Sequence, residues 1–258
     1  MVLNLISYLG YLVIRFIEHV GRLSILIGQL VLSLHLFPKN LRLISQQMLY
    51  MGVNSLPLVL FTSLFTGGVT AVQAAYQFRG IVPMTYLGGA VGKAVVIELG
   101  PVLTALVIAG RVGASIAAEL GTMKVTEQID ALETMAIDPV RYLVMPRFIS
   151  GIVMLPVLTV FSNFIAIVGG LAVSVWFLDL TTYSFLNSLK MFFELQDLFG
   201  GLLKSIAFGA IISIIGCYNG FATVGGAEGV GKSTTRAVVV SSILILLADY
   251  GIASLVFG

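Results

Sequence analysis

Residues 148–178 read Phe-Ile-Ser-Gly-Ile-Val-Met-Leu-Pro-Val-Leu-Thr-Val-Phe-Ser-Asn-Phe-Ile-Ala-Ile-Val-Gly-Gly-Leu-Ala-Val-Ser-Val-Trp-Phe-Leu, without one charged side chain. A helix crosses the hydrocarbon of a bilayer in roughly 20 apolar residues, and a spanning backbone must satisfy its own hydrogen bonds there. This stretch is longer than needed, so tilt or a kink at Pro156 is expected. Four further stretches meet the same criterion, at about 53–78, 92–118, 198–222 and 237–257, with Pro57 and Pro101 within or near the starts of the first two. Across all 258 residues, 58% are hydrophobic and only 10% charged, whereas a soluble domain carries about 25% charged residues. Too little polar surface remains to coat a globule in water. The expected fold class is therefore all-α integral membrane, with about five transmembrane helices.

Ahead of the first span, Arg15, Glu18, His19 and Arg22 recur at i, i+3, i+4 and i+7, one face of a helix whose other faces are Leu, Ile, Val and Phe. That pattern predicts an amphipathic helix lying in the membrane interface. The following run, 23–37, is too short to span comfortably and reads as a buried or re-entrant element, with a sixth span as the alternative. The chain then forms one membrane domain over 1–258: an interfacial element at 1–45 and a five-span bundle at 53–257, interrupted by a polar loop at 119–147. No cleavable signal peptide is expected, because the first apolar run has no basic leader and is broken by charges. Cys217, the single cysteine, excludes an internal disulfide and reads as a small buried hydrophobe. His19 and His35 have no metal-ligand spacing, and no serine–histidine–acid arrangement can be drawn, so neither a metal site nor a catalytic residue is assigned.

Glycines recur at helix-contact spacing in Gly88 with Gly92 and Gly216 with Gly220, where small residues let helices approach closely in lipid. The loop at 119–147 carries an apolar stripe, Val125, Ile129, Leu132 and Ala136, with Lys124, Glu127, Asp130 and Glu133 on other faces. It predicts a short helix, ended by Asp138–Pro139, that either lies on the membrane surface or docks into a groove on a partner. Lysine and arginine counts set the orientation. With the N-terminus cytosolic, that side holds Arg15, Arg22, Lys39, Arg42, Arg111, Lys124, Arg141, Arg147, Lys232 and Arg236, against Arg79, Lys93 and Lys190 on the other. The C-terminus then lies outside.

Three charges fall inside spans: Glu98, Lys204 and Asp249. At about 1.5 Å rise per residue each lies about 9–12 Å from the outer end of its span, so a buried cluster of Lys204 with both acids is expected. Two acids against one base leave an excess negative charge, which protonation of one carboxyl would relieve. Residues 226–233, Gly-Ala-Glu-Gly-Val-Gly-Lys-Ser, match the phosphate-loop pattern GxxxxGK[ST]. A strand of a parallel sheet must feed that loop for it to cradle phosphates, and here a membrane span precedes it. The expected role is a glycine loop with Lys232 and Arg236 as anchors and Ser233 or Thr234 capping the last helix.

The strings Glu-Leu-Gly-Pro-Val-Leu-Thr-Ala-Leu (98–106), Ala-Gly-Arg-Val-Gly-Ala (109–114), Ala-Glu-Leu-Gly-Thr-Met (118–123), Thr-Glu-Gln-Ile-Asp-Ala-Leu (126–132), Asp-Pro-Val-Arg (138–141), Pro-Arg-Phe (146–148) and Thr-Thr-Arg-Ala-Val-Val (234–239) occur in order. Together they resemble the MlaE (YrbE) family of permeases over essentially the whole chain. Members of that family often carry a basic residue just before the glutamate at 98; Ile97 stands here.

The resemblance implies the permease subunit of an ABC transporter moving phospholipids between the inner membrane and periplasmic MCE-type carriers, maintaining outer-membrane lipid asymmetry. It implies a homodimer in the bacterial inner membrane, with a cytosolic ABC ATPase below that binds ATP and magnesium. A ring of MCE-domain proteins would sit above, with a small STAS-domain protein attached; no cofactor belongs to this chain and no nucleic acid is implied. The loop helix would be the coupling helix, with Glu119, Gly121, Met123, Glu127, Gln128 and Leu132 toward the ATPase. An outward cavity for acyl chains would draw on Val69, Thr70, Gln73, Phe78, Ile81 and Leu99. A membrane-embedded lipid-modifying enzyme and a structural anchor are the alternatives.

Overall fold

A computed structural model describes residues 2–256. Residues 1, 257 and 258, at the edges of the expected domain and of the last span, lie outside the described residues, as do the side chains of Arg15 and Lys39. Among the described residues there are helices and no strand. In chain order they are α1 (Val2–Ser33), α2 (Leu41–Met51), α3 (Leu56–Phe78), α4 (Leu87–Ala94), α5 (Gly100–Ile108), α6 (Ala114–Val125), α7 (Gln128–Thr134), α8 (Met145–Phe177), α9 (Thr182–Phe192), α10 (Leu195–Phe221) and α11 (Gly226–Val256). Five stretches are long and apolar enough to cross a membrane: Leu41–Phe78, Met84–Val125, Val140–Phe177, Leu195–Phe221 and Gly226–Val256. They coincide with the five expected spans and overrun each at one end or both, because helix continues beyond the apolar window into polar ends; the expected bounds at 178 and 222 fall one residue past the helix.

Residues 23–37 do not form a separate re-entrant element. Helix α1 runs unbroken to Ser33 and passes into a 3-10 turn, Leu34–Asn40, that contains Pro38. One stripe, with Leu26, Leu30 and Ser33, is buried on the bundle, while Ile17, Ile25, Val31 and Leu32 face outward. Glu18, His19 and Arg22 are exposed, and His19 Nδ1 lies 2.6 Å from the Tyr218 hydroxyl of α10. The element is thus a long amphipathic helix fastened to the bundle.

Span two, Met84–Val125, is a continuous rod built from α4, α5 and α6 with π-helical turns at Val95–Leu99 and Ala109–Gly113. Pro101 explains the first turn: it has no N–H, and its ring presses on the carbonyl four residues back, at Ile97. A wider turn absorbs that conflict. Pro146 stands in the same relation to the π turn Val140–Val144 at the start of span three. By contrast, α8 runs unbroken through Pro156.

Packing follows small residues. The most extensive contact joins α3 to α8, and a Cβ on Gly67 would overlap the Ala166 carbonyl, while one on Gly169 would overlap that of Leu64. Both expected glycine pairs are contact points: Gly88 and Gly92 meet Phe185 and Leu189 of α9, and Gly216 and Gly220 meet Ile116 and Leu120 of α6. Helix α9 itself was not anticipated; its signal is the Thr181 hydroxyl, which caps it by accepting from the Ser184 N–H at 3.2 Å.

The buried apolar residues fall into two separate cores. One joins α1, α2, α5, α6, α10 and the first half of α8, with Val59, Ala105, Leu158 and Ile245 among its members. The other joins the later part of α3 to α4, α9 and the later part of α8, through Ala71, Leu87, Val91, Val95, Ala166 and Phe185.

Gly67→Leu should leave little folded protein in membranes, measured as monodisperse yield after detergent extraction. Gly251→Ala, where a Cβ meets nothing within 4 Å, should preserve yield and stabilise the helix by about 0.5–1 kcal/mol.

Candidate functional site

The loop after span two begins as a continuation of its helix. Glu119, Gly121 and Met123 belong to α6, which ends at Val125. Glu127 then takes a left-handed conformation (φ 59°) that breaks the helix, so the apolar stripe from Val125 to Ala136 is not one helix. The seven-residue α7 follows, anchored by buried Ile129 and half-buried Leu132 and tied back by Lys124, whose ammonium lies 2.7 Å from Asp130. It stops before Asp138–Pro139, at Ala136, which has φ 58°. The Asp138 carboxylate instead caps the next span, accepting from the Val140 N–H at 2.9 Å.

Of the six residues expected to face an ATPase, Glu127 and Gln128 are exposed, and Met123 and Leu132 pack on the core. Gly121 is buried, and a Cβ there would stand 2.8 Å from the Thr223 hydroxyl. It faces the bundle rather than a partner. Glu119 is half exposed but engaged: its carboxylate lies 2.9 Å from the Arg147 guanidinium, which is only 3% exposed. Arg147 also donates to the Leu143 carbonyl at 2.7 Å, and its own carbonyl accepts from Ser213 at 3.2 Å. Sequence reading placed Glu119 and Arg147 separately, one as a coupling residue and one as a cytosolic charge. Their pairing bolts α6 to α8 beside α7. Arg111 of span two bonds Ser55, and Tyr50 bonds Ser115, so the Gly52 bend of span one is held to the same rod.

Glu98, Lys204 and Asp249 meet. The Lys204 ammonium, with no exposure to solvent, lies 2.5 Å from Glu98 and 2.8 Å from Asp249. Glu98 sits on the first π turn of span two with its side chain 45% exposed, whereas that of Asp249 is 12% exposed. Span two starts at Met84, so Glu98 is about 21 Å from that helix start, deeper along its helix than the apolar window implied. The overhang is α4, which packs on α9. There Lys93 bridges to Glu194 at 2.9 Å and to buried Asp197 at 3.5 Å.

The six residues chosen for an acyl cavity do not line one space within a single chain. Val69 and Ile81 point outward from α3 and from the turn after it; Gln73 is also exposed, and Thr70 donates to the Thr66 carbonyl at 2.7 Å. Phe78 lines an open apolar cleft with Val82, Tyr86, Ala90, Lys93 and Phe192. Leu99 lines a different crevice, between α3, span two and α8. What joins Val69, Gln73 and Tyr76 is an exposed face of α3, not a pocket.

The string 226–233 is helix, not loop. Helix α11 begins at Gly226, and Lys232 pairs with Glu228 one turn back at 2.6 Å. Ser233 and Thr234 lie inside the helix rather than at its cap; Thr234 donates to the Val230 carbonyl at 2.7 Å. The glycines serve the turn from α10, since a Cβ on Gly229 would overlap the Val224 carbonyl.

The signature described as permease MlaE matches residues 44–255. A probable ABC transporter permease protein of Rickettsia typhi is 43% identical over 257 residues, covering 100% of this chain and 99% of its own. A probable ABC transporter permease protein of Synechocystis is 45% identical over 232 residues, 90% of this chain and 88% of its own. The intermembrane phospholipid transport system permease protein MlaE of Haemophilus influenzae is 35% identical over 259 residues, covering 100% and 99%.

Replacing Lys204 by Met should destabilise the protein by on the order of 3–5 kcal/mol, because it strands a buried carboxylate. The exchange Lys204→Asp with Asp249→Lys should recover part of the loss in thermal unfolding. A double exchange as damaged as either single change would break the assigned pairing.

Proposed function

Because the chain belongs to the MlaE permease family, we propose that it moves phospholipid between a bacterial inner membrane and periplasmic MCE-type carriers, and so maintains outer-membrane lipid asymmetry. Two of these relatives are named as probable ABC transporter permeases and the third as a permease of a phospholipid transport system, which makes this chain a transporter subunit rather than an enzyme. ATP and magnesium then belong to a separate ATPase subunit. The working assembly is a homodimer of this chain with an ATPase dimer at the end bearing α7, MCE subunits at the opposite end, and a small STAS-domain protein on the ATPase. The basic residues gather at the α7 end, which supports a cytosolic N-terminus and a periplasmic C-terminus.

One observation carries the mechanism: a single helical rod, Met84–Val125, ends beside α7 and holds Glu98 and Leu99 on its first π turn. Exposed Glu127, Gln128 and Met135 offer a docking surface to the ATPase. When nucleotide draws the two ATPases together, force enters at α7, and the Glu119–Arg147 pair passes it to α6 and α8 together. The Pro101 π turn is where the rod yields. There the lower arm, α5 and α6, changes angle against the upper arm, α4, which α9 holds. Movement at this turn alters the space around Leu99 and the α3 face, where acyl chains bind, and expels or admits a phospholipid.

Reconstitution in liposomes with the ATPase and MCE partners, with labelled phospholipid on a known side, tests this reading. Gln128→Arg with Met135→Asp should cut ATP-dependent lipid transfer at least tenfold while the unfolding temperature of the chain holds. Unchanged transfer would remove α7 from the coupling path, and lipid conversion by the chain alone would restore the enzyme reading.

A further inference from the structure

Three helices pass from one hydrophobic core to the other at the same level. Along α3 the change falls between Val59 and Ala71, along span two between Ala105 and Val95, and along α8 between Leu158 and Ala166. Each interval carries polar side chains that face the other two helices. A crevice between the three helices is lined by Thr62, Ser63, Thr66, Thr104 and Ser162, walled by Leu99 and Leu103. Gly100 also lines it, one helical turn before Thr104 and on the same face. Asn163 presses its amide oxygen against this glycine so closely that a Cβ at position 100 would overlap it.

The hydrogen bonds of this seam leave an imbalance. Thr62 donates to its own helix at Leu58 and Val59, Ser63 to Val59, and Thr66 to Thr62. Because Ser63 has spent its proton, Ser162 is the donor in the 2.7 Å bond between them. Two polar atoms, Thr104 Oγ1 and Asn163 Oδ1, have no partner among the described residues, though their side chains belong to residues only 3% and 6% exposed. Unmet polar groups at such depth are costly. The Asn163 oxygen lacks a donor, and the Thr104 hydroxyl lacks both a donor and an acceptor. The missing chemistry is a compact group that donates to both and can also accept.

We infer that this seam is a hydration site, holding water between Thr104, Asn163 and the α3 hydroxyls and separating the two cores by a polar joint. Water fits because it brings two donors without net charge, and a buried water makes about three hydrogen bonds of this kind. A cation would find no carboxylate among the lining residues; Glu98, the nearest acid along span two, is taken by Lys204. The crevice adjoins the end of the Pro101 π turn. Bonds to water exchange with small shifts of span two against α3 and α8, which stay interlocked with each other at this level through Gly67 on Ala166 and Gly169 on Leu64. The site stands on the side chains of the isolated chain and does not depend on which substrate is transported.

The sign of one isosteric substitution decides it. If the Thr104 hydroxyl is bonded to water, Thr104→Val in the full chain lowers the unfolding temperature, by about 2–6 °C, and Thr104→Ser retains the wild-type value. If the hydroxyl were unmet, Thr104→Val would raise the temperature or leave it unchanged, and the hydration site would be wrong. Asn163→Leu should lower it as well, and the double variant should lose less than the sum, because either change alone releases the shared water. Full additivity would overturn the sharing. Replacing sodium by choline in the buffer should leave all values unchanged; a fall in wild type alone, absent from Thr104→Val, would assign the site to a cation instead.

Discussion

An ammonium group with no access to water sits within the spans at Lys204, and its neighbours among the charged groups are Glu98 and Asp249. Hydrocarbon offers no substitute for a lost partner, so this lysine dictates which helices stand together. Span two must present Glu98, α11 must present Asp249, and both must lie against α10 at one depth. The π turn at Val95–Leu99 belongs to the same constraint. Proline at 101 forces the local geometry, and the geometry carries the carboxylate that the lysine requires. The ion pairs fix which face span two turns toward α10 at this point.

Glycine contacts do the remaining work of assembly. Lipid tails are as apolar as leucine, so helices gain nothing by hiding apolar surface from one another; they gain by close packing. The α3–α8 contact at Gly67 and Gly169 and the α8–α10 contact at Gly151 and Gly209 are backbone against backbone. These contacts define stiff pairs. Between the α3–α8 pair and span two lies the polar level at Thr62–Thr66, Gly100–Thr104 and Ser162–Asn163, where polar side chains meet. Stiff pairs joined at a soft level make a device that bends at one place, as a permease driven from one end requires.

Much of this was legible in the sequence because hydrocarbon allows so few structures. The five spans follow from runs of apolar residues, and the pairing of Lys204 with Glu98 and Asp249 follows from charges that each fall inside a span, although Glu98 stands farther from its helix start than the apolar window implied. Other features needed three dimensions. The Arg147–Glu119 pair joins residues that sequence reading placed in different roles, and nothing in either string names the other. Gly121 stands within the motif-rich loop yet packs against Thr223, since α6 continues past the apolar window that sets a span's apparent end. The glycine string at 226–233 carries a nucleotide-binding pattern, but its glycines fit a tight turn between α10 and α11. Within one chain the acyl-cavity residues lie on an exposed α3 face and beside two clefts, and one dimension does not distinguish a face from an enclosed space.

The central claim is that nucleotide binding at the α7 end moves the two cores relative to each other. Spin labels on Tyr76, exposed beside Ala75 of one core, and on Tyr250, exposed on the helix that carries Ile245 of the other, report this directly by pulsed dipolar spectroscopy in the assembled complex. The distance within one chain should shift by several ångströms between the nucleotide-free and ATP-bound states, and the shift should vanish when Gln128 and Met135 are replaced. An unchanged distance in a complex that still moves lipid on ATP addition would contradict the account.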